Sequence, residues 1–168
     1  MKHSILAFLA LIVSAIIVSC GPSREDAANF NNMLIAQQKQ VVNQYDELVK
    51  TYDTYNAEKM DNQLVAFLTQ LSKAEEEVKA MPNFDGADQL KKAFLDYIEQ
   101  NRSVAENEVR ELIRIYKIPE EEFTTELHNS WNDTYTKGDN KIKTAESKFM
   151  AAQKAFAEKF QLILGNAD

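Results

Sequence analysis

Four polar side chains lie within the apolar faces of two predicted helices, and they carry the main chemical signal of the sequence. Gln37 and Gln44 stand seven residues apart in the first helix, as do Asn101 and Glu108 in the third. Two helical turns separate each pair, so both members share a face. Buried amides and carboxylates are costly unless they are hydrogen-bonded. The pattern is typical of a polar network that fixes helix register, or of a pocket for a small ligand or cation with Glu108 as its charged member.

The spacing also predicts which of these residues meet. In an up-down bundle the first and third helices run in the same direction, diagonally across the core. Counted from the end of the bundle far from the N-terminus, Gln44 and Glu108 lie about 10 and 9 residues along their helices. Gln37 and Asn101 lie about 17 and 16 residues along. We expect two stacked polar layers, and Glu75 of the second helix could join the lower one.

Residue types that support catalysis are scarce. His128 is the only histidine after residue 3, and the residue three before it is Thr125 rather than the glutamate of a di-iron bundle. The sequence contains no glycine-rich phosphate loop and no Gly-x-Ser-x-Gly elbow. The consecutive glutamates at 75–77 and 120–122 splay around a helix, as solvated faces or caps do. We therefore expect no enzymatic activity, no metal site and no dissociable cofactor.

Cys20 is the only cysteine, and it follows an apolar N-terminal segment. After Lys2, residues 5–18 form an apolar run of about 14 residues, whereas about 20 are needed to cross a bilayer. The sequence Ile17-Val18-Ser19-Cys20 resembles a bacterial lipobox. That resemblance implies cleavage after Ser19, a diacylglycerol on the Cys20 thiol, and acylation of the new amine, with palmitate as the expected chain. The alternative is an uncleaved apolar anchor with an incidental cysteine.

Residues 23–26, Ser-Arg-Glu-Asp, follow the expected lipidation site. A short acidic stretch there resembles the signals that export lipoproteins of the Bacteroidota to the outer face of the outer membrane. The same residues are typical of a helix N-cap and first turn, where acids complement the helix dipole. Both interpretations can hold together. We expect a lipid anchor in the bacterial outer membrane with the domain exposed on the surface; the alternative is a domain that faces the periplasm.

Composition limits the class of partner. The 168-residue chain has 19 Lys and Arg against 26 Asp and Glu, a formal charge of −7. An acidic chain without clustered lysines and arginines is a poor ligand for nucleic acid. Beyond the membrane that holds the lipid, we expect the partner to be a protein or another macromolecule.

Four amphipathic segments account for the rest of the chain. They cover about residues 24–54, 57–81, 87–117 and 120–164 and are rich in good helix formers. The apolar stripe continues through Gly138, which favours one long last helix, straight or kinked at that glycine. Short connections predict an all-α, up-down-up-down four-helix bundle. The predicted organisation is a signal peptide at 1–19, a lipidated N-terminus and tether at 20–24, and one helical domain at 25–168.

Both ends of the mature chain then lie on the membrane side, and two turns point away from it. Tyr55, Tyr116 and Ile118 fall near these distal turns. An exposed apolar patch there would indicate a partner site. The sequence thus predicts a non-enzymatic surface lipoprotein that acts as an interaction or structural module; the alternative is a lipoprotein that binds a small ligand or cation in the bundle core.

Two longer stretches, DAANFNNMLIAQQKQVVNQYDEL and MPNFDGADQLKKAFLDYIEQNRSVAENEVREL, support a comparison with a known group. They resemble a family of bacterial surface lipoproteins of the Bacteroidota and spirochaetes. The likeness covers about residues 20–117 and rests on core and turn residues. It implies an all-helical surface lipoprotein. The family has no assigned activity, so the resemblance implies no site residues.

Overall fold

The computed structural model describes residues 21–54 and 56–164, and within these ranges it is helical and contains no strand. The predicted signal peptide, Cys20 and Tyr55 lie outside the described residues. The helices are α1 (Arg24–Lys50), α2 (Ala57–Ala80), α3 (Asp88–Val104), α4 (Arg110–Tyr116) and α5 (Thr125–Lys159). A π-helical turn at Ala105–Val109, here called the π turn, joins α3 to α4 without a break. The third rod of the bundle is therefore α3, the π turn and α4 together.

Aromatic contacts define the two ends of the bundle. At one end Phe30 of α1 meets Phe156 of α5, with ring centroids 6.1 Å apart. At the other end Tyr52, just after α1, stacks on Tyr116 of α4 at 5.9 Å. Successive rods therefore run in opposite directions, with α1 along α2 and α3 along α5. The predicted all-α, up-down-up-down four-helix bundle with a long last helix is confirmed.

The first helix begins with a capping box. The Ser23 hydroxyl accepts a hydrogen bond from the Asp26 backbone N–H, and the Asp26 carboxylate accepts one from the Ser23 N–H, both at 3.1 Å. Hydrogen bonds from the Ser23 side chain and backbone lower the pKa of Asp26. The interpretation of residues 23–26 as a helix start is therefore confirmed. Their predicted role as an export signal stays a prediction.

The last helix starts later than the sequence predicts. Pro119 and the three glutamates after it predict a helix start, but Glu120–Glu122 form a separate 3-10 turn. Phe123 then has extended backbone, with φ −80° and ψ 106°. The Thr124 hydroxyl accepts a hydrogen bond from the Leu127 N–H at 3.3 Å and caps α5. A proline followed by acidic residues is compatible with a 3-10 turn and with the first turn of an α-helix. The hydrogen bond to the Thr124 side chain is what marks the start of α5.

The core is continuous along the bundle. Its largest fully buried side chains include three phenylalanines, Phe67, Phe94 and Phe149, which come from α2, α3 and α5. Phe94 and Phe149 meet edge to face, with centroids 5.2 Å apart. Burial of each such side chain stabilises the fold by about 1.5–3 kcal/mol. None of the helices within residues 21–54 and 56–164 is both long enough and apolar enough to span a bilayer.

Candidate functional site

Glu108 lies in the π turn and is almost completely buried, with 3% of its surface exposed. Its Oε1 atom accepts a hydrogen bond from Lys141 Nζ at 2.7 Å and forms an ion pair with Lys137 Nζ at 3.1 Å. Its Oε2 atom is buried and has no hydrogen-bond partner among the residues that the structure describes. One carboxylate oxygen thus receives two lysines from α5, while the other remains unpaired.

The protonation state of Glu108 follows from two opposing effects. Burial raises the pKa of this carboxyl, because the charged form loses solvation. Hydrogen bonds and the positive charges of Lys141 and Lys137 outweigh burial and hold the pKa below its ordinary value. Glu108 is therefore an ionised, paired carboxylate at neutral pH. It is not an acid poised to donate a proton.

Gly138 explains how the two lysines reach this carboxylate. Lys137 and Lys141 are one helical turn apart on α5, on either side of Gly138. A Cβ atom on Gly138 would lie 3.3 Å from both the Glu108 Cβ and the Val104 Cγ1 atoms. The glycine therefore permits close contact between α5 and the π turn. In this contact the lysine side chains extend along the helix surface to the buried carboxylate.

The space beside Glu108 is small. A cavity of about 10 Å³ borders its side chain and is enclosed by α1, the third rod and α5. That volume is close to the minimum that one water molecule needs, and far below the 300–1,000 Å³ that is usual for ligand pockets. Within the described ranges no group of three or more His, Cys, Asp or Glu residues could hold a metal ion.

The other three polar residues do not form the predicted layers. Asn101 is buried, and its Nδ2 donates to the Tyr97 backbone oxygen at 2.9 Å within α3. Gln44 and Gln37 are half-buried, and their amides donate to Gln63 and Glu77 of α2, the first at 2.8 Å. The sequence thus identifies two buried polar residues, Asn101 and Glu108, but not their partners.

The arrangement of the helices explains why Gln37 and Gln44 pair with α2 and not with the third rod. The first and third rods are diagonal in the bundle, and neighbouring helices lie closer together than diagonal ones. A long side chain at the edge of the core therefore meets the adjacent helix first. Glu75 of α2 behaves in the same way, because it pairs with Arg102 on the neighbouring third rod and with Lys79 on its own helix.

A second site lies at the end of the bundle remote from Ser23. A groove of about 840 Å³, here called the distal groove, opens between the end of the third rod and the start of α5. Its lining residues are Ile115, Tyr116, Ile118, Glu120, Phe123, His128 and Trp131. Two of the predicted partner-surface residues, Tyr116 and Ile118, are therefore in one groove.

Aromatic rings form one wall of the distal groove. Trp131 stacks on Tyr135 with centroids 5.5 Å apart and meets Tyr116 edge to face at 6.3 Å. Tyr116 in turn stacks on Tyr52, and its hydroxyl donates to the Tyr52 backbone oxygen at 3.3 Å. These contacts join the end of α1 to α4 and α5. The aromatic wall of the groove is therefore held in place by contacts among these three helices.

The mouth of the groove is apolar and acidic. Phe123 is 42% exposed and lines the groove together with Ile115, Ile118 and Trp131. The 3-10 turn Glu120–Glu122 lies beside it with all three glutamates exposed. None of these three carboxylates forms an ion pair with another described residue. The two cations that precede this turn in the sequence, Lys117 and Arg114, are paired at 2.7 Å with Asp61 and Glu111.

The apolar periodicity of residues 120–164 predicts that Phe123 lies on the apolar stripe of the last helix. That prediction is wrong, because the helix begins only at Thr125. The available signal was an aromatic residue between an acidic turn and a threonine cap. His128 lines the same groove and is exposed.

A groove of about 780 Å³ also runs between α3 and α5. It is lined by side chains of both charges, among them Asp96, Asp133, Lys137, Lys141 and Lys148. Two of its lysines already bind Glu108, and Asp96 pairs with Lys92 at 2.5 Å. Three of these five charged side chains are thus already paired within the bundle.

Comparison of the chain with protein-family models, curated proteins and solved structures found no match. The resemblance to the surface-lipoprotein family therefore stays a prediction.

Proposed function

We propose that this protein is a non-enzymatic, lipid-anchored surface lipoprotein of the bacterial outer membrane that presents the distal end of its bundle to another macromolecule at the cell surface. The observation that carries the proposal is the distal groove with the exposed Phe123 at its mouth. Exposed apolar surface beside a supported aromatic wall is typical of protein interaction sites.

The position of the groove suits this role. Helix α1 has 27 residues and, at a rise of about 1.5 Å per residue, is about 40 Å long. It begins four residues after Cys20, where the lipobox Ile17-Val18-Ser19-Cys20 predicts the lipid. A lipid at Cys20 would therefore hold one end of the bundle at the membrane. The distal groove would then face away from the membrane.

The alternative, a small ligand or cation in the bundle core, has weaker support. The cavity beside Glu108 is about 10 Å³, enough for roughly one water. The positive charges of Lys137 and Lys141 already neutralise the carboxylate and would repel a cation. A structural role for Glu108 accounts for the same contacts without a ligand.

The proposal is tested by photo-cross-linking in the native bacterium. A photoreactive phenylalanine analogue replaces Phe123, and in a matched variant it replaces Met150, which is 56% exposed on α5 toward the opposite end. We expect a discrete cross-linked product from position 123 and none from position 150. Identical product patterns from the two positions, or no product from either, would contradict an interaction site at the distal groove.

A further inference from the structure

We propose that the distal groove binds a basic amphipathic segment of a partner protein, with an apolar side chain in the groove and lysines or arginines against Glu120–Glu122. This inference rests on the proposed function, because it specifies the chemistry of the partner. Three features of the groove carry it: its size, the backbone that presents Phe123, and the charge of its rim.

The size and lining of the groove select an apolar group. Its volume of about 840 Å³ lies within the range for ligand sites, and five of its seven lining residues are aliphatic or aromatic. Ile115 at its base is fully buried, while Ile118 and Trp131 are half-buried. An apolar side chain that enters the groove would cover these partly exposed surfaces and Phe123 together.

The backbone holds Phe123 at the mouth of the groove. It lies between the 3-10 turn and the capping residue Thr124, in an extended conformation. The Phe123 N–H donates to the Glu120 carbonyl at 3.1 Å, and the Thr124 hydroxyl is engaged with α5. Hydrogen bonds on both sides thus fix the segment that presents the ring. A partner would meet a preformed site, which reduces the entropy lost on binding.

The rim selects a cation. Glu120, Glu121 and Glu122 are adjacent, exposed and without ion-pair partners among the described residues. Lys117 and Arg114, the two cations that precede this turn in the sequence, are engaged with Asp61 and Glu111. The rim of the groove therefore carries three carboxylates that form no ion pair within the described residues. Lysines or arginines next to the bound apolar side chain would complement it.

The same charge disfavours a second copy of this chain. Two copies that met groove to groove would bring their acidic turns together, and each whole chain has a net charge of −7. Like charges held together at an interface disfavour association. A basic partner avoids this repulsion. Self-association at the groove is consequently an outcome that the test must detect.

Trp131 is the only tryptophan in the chain and lines the groove, so its fluorescence reports on binding at the groove itself. The full, lipidated protein in a neutral maltoside detergent is titrated with a synthetic helical peptide of leucine and lysine. A peptide with glutamate in place of lysine is the charge control. We expect a saturable change in Trp131 fluorescence with the lysine peptide, weakened by salt, and no saturation with the glutamate peptide.

Two variants test the two halves of the site. Phe123→Ala and the triple variant Glu120→Gln, Glu121→Gln, Glu122→Gln should each weaken binding about tenfold, and the triple variant should also lose most of the salt dependence. The matched controls should bind as the wild type does. They are Met150→Ala for the apolar change and Glu25→Gln, Glu76→Gln, Glu158→Gln for the charge change, all at exposed positions nearer the other end.

Several outcomes would overturn the inference: equal binding of both peptides, no saturable signal, equal weakening by variants and controls, or a fluorescence change that follows protein concentration alone. The last outcome would assign the groove to a second copy. A specific cross-link from position 123 in cells, combined with no lysine-peptide binding, would refute the partner chemistry alone. Absence of both signals would refute the proposed function as well.

Discussion

Gly138 of α5 lies directly against Glu108 of the π turn, so close that a Cβ atom on the glycine would approach the Glu108 Cβ atom to 3.3 Å. Two features that each cost folding free energy meet at this contact: a π-helical turn and a buried carboxylate. Lys137 and Lys141, on either side of the glycine, compensate the buried charge. The contact between α5 and the third rod is therefore specified by backbone proximity and by charge at the same point.

Substitution of this glycine should loosen the contact. We expect Gly138→Ala to destabilise the fold by about 1 kcal/mol, because overpacking costs about 1–3 kcal/mol and better helix propensity returns up to about 1 kcal/mol. The added methyl meets the stiff side chain of Val104 and the Cβ of Glu108, neither of which moves easily. Chemical denaturation measures the change. Asn140→Ala, at an exposed position of the same helix, is the control and should be neutral or slightly stabilising.

Lys141 and Lys137 both pair with Glu108, but removal of each lysine should destabilise the fold by a different amount. Lys141 is 34% exposed and Lys137 is 66% exposed, so Lys141 is held in the less polar environment. We expect Lys141→Ala to cost about 1–2 kcal/mol, since it leaves Glu108 less compensated, and Lys137→Ala to cost less than about 0.5 kcal/mol. Denaturant titration of both variants gives the comparison. Equal costs would contradict the assignment of Lys141 as the main partner.

The lowered pKa of Glu108 predicts a dependence of stability on pH. A carboxyl whose pKa is lower in the folded than in the unfolded state stabilises the fold fully above its unfolded value. This contribution is lost as pH falls from the ordinary value of 4.5 through the folded pKa. The free energy of unfolding of wild type minus that of Glu108→Gln should therefore be constant near neutral pH and shrink in acid. A difference that grows in acid would show that burial, not the lysines, controls this group.

Lipidation at Cys20 is tested separately from the fold. We expect cells fed an alkyne analogue of palmitate to label the wild-type protein, and the Cys20→Ser variant to remain unlabelled, because Cys20 holds the only thiol in the chain. The variant should keep a signal peptide that the wild type loses, visible as a larger mass. Equal labelling of the two proteins would contradict the lipobox interpretation.

The sequence predicted the fold better than it predicted the contacts. Apolar periodicity identifies all four rods and carries the last helix through Gly138, because core faces repeat at the helical period. It also places Asn101 and Glu108 in the core, as observed. These are properties of single helices, which a sequence pattern records directly.

The partners of Asn101 and Glu108 depend on how neighbouring helices pack, and the sequence contains little information on that packing. Lys137 and Lys141 look like residues of a solvated face, and only the close approach at Gly138 brings them to Glu108. No proline or glycine marks the π turn in the sequence. Phe123 was misassigned because the cap at Thr124, not Pro119, starts the last helix.

Display of the distal groove at the cell surface is the central claim, and thiol labelling of intact cells tests it most directly. Phe123→Cys and Met150→Cys place a thiol at the groove and at an exposed position on α5 toward the opposite end. Cys20, the only natural cysteine, would be blocked by its lipid. We predict that a membrane-impermeant maleimide labels both variants in intact cells while a periplasmic control protein stays unlabelled. Labelling only after the outer membrane is permeabilised would contradict surface display and place the domain in the periplasm.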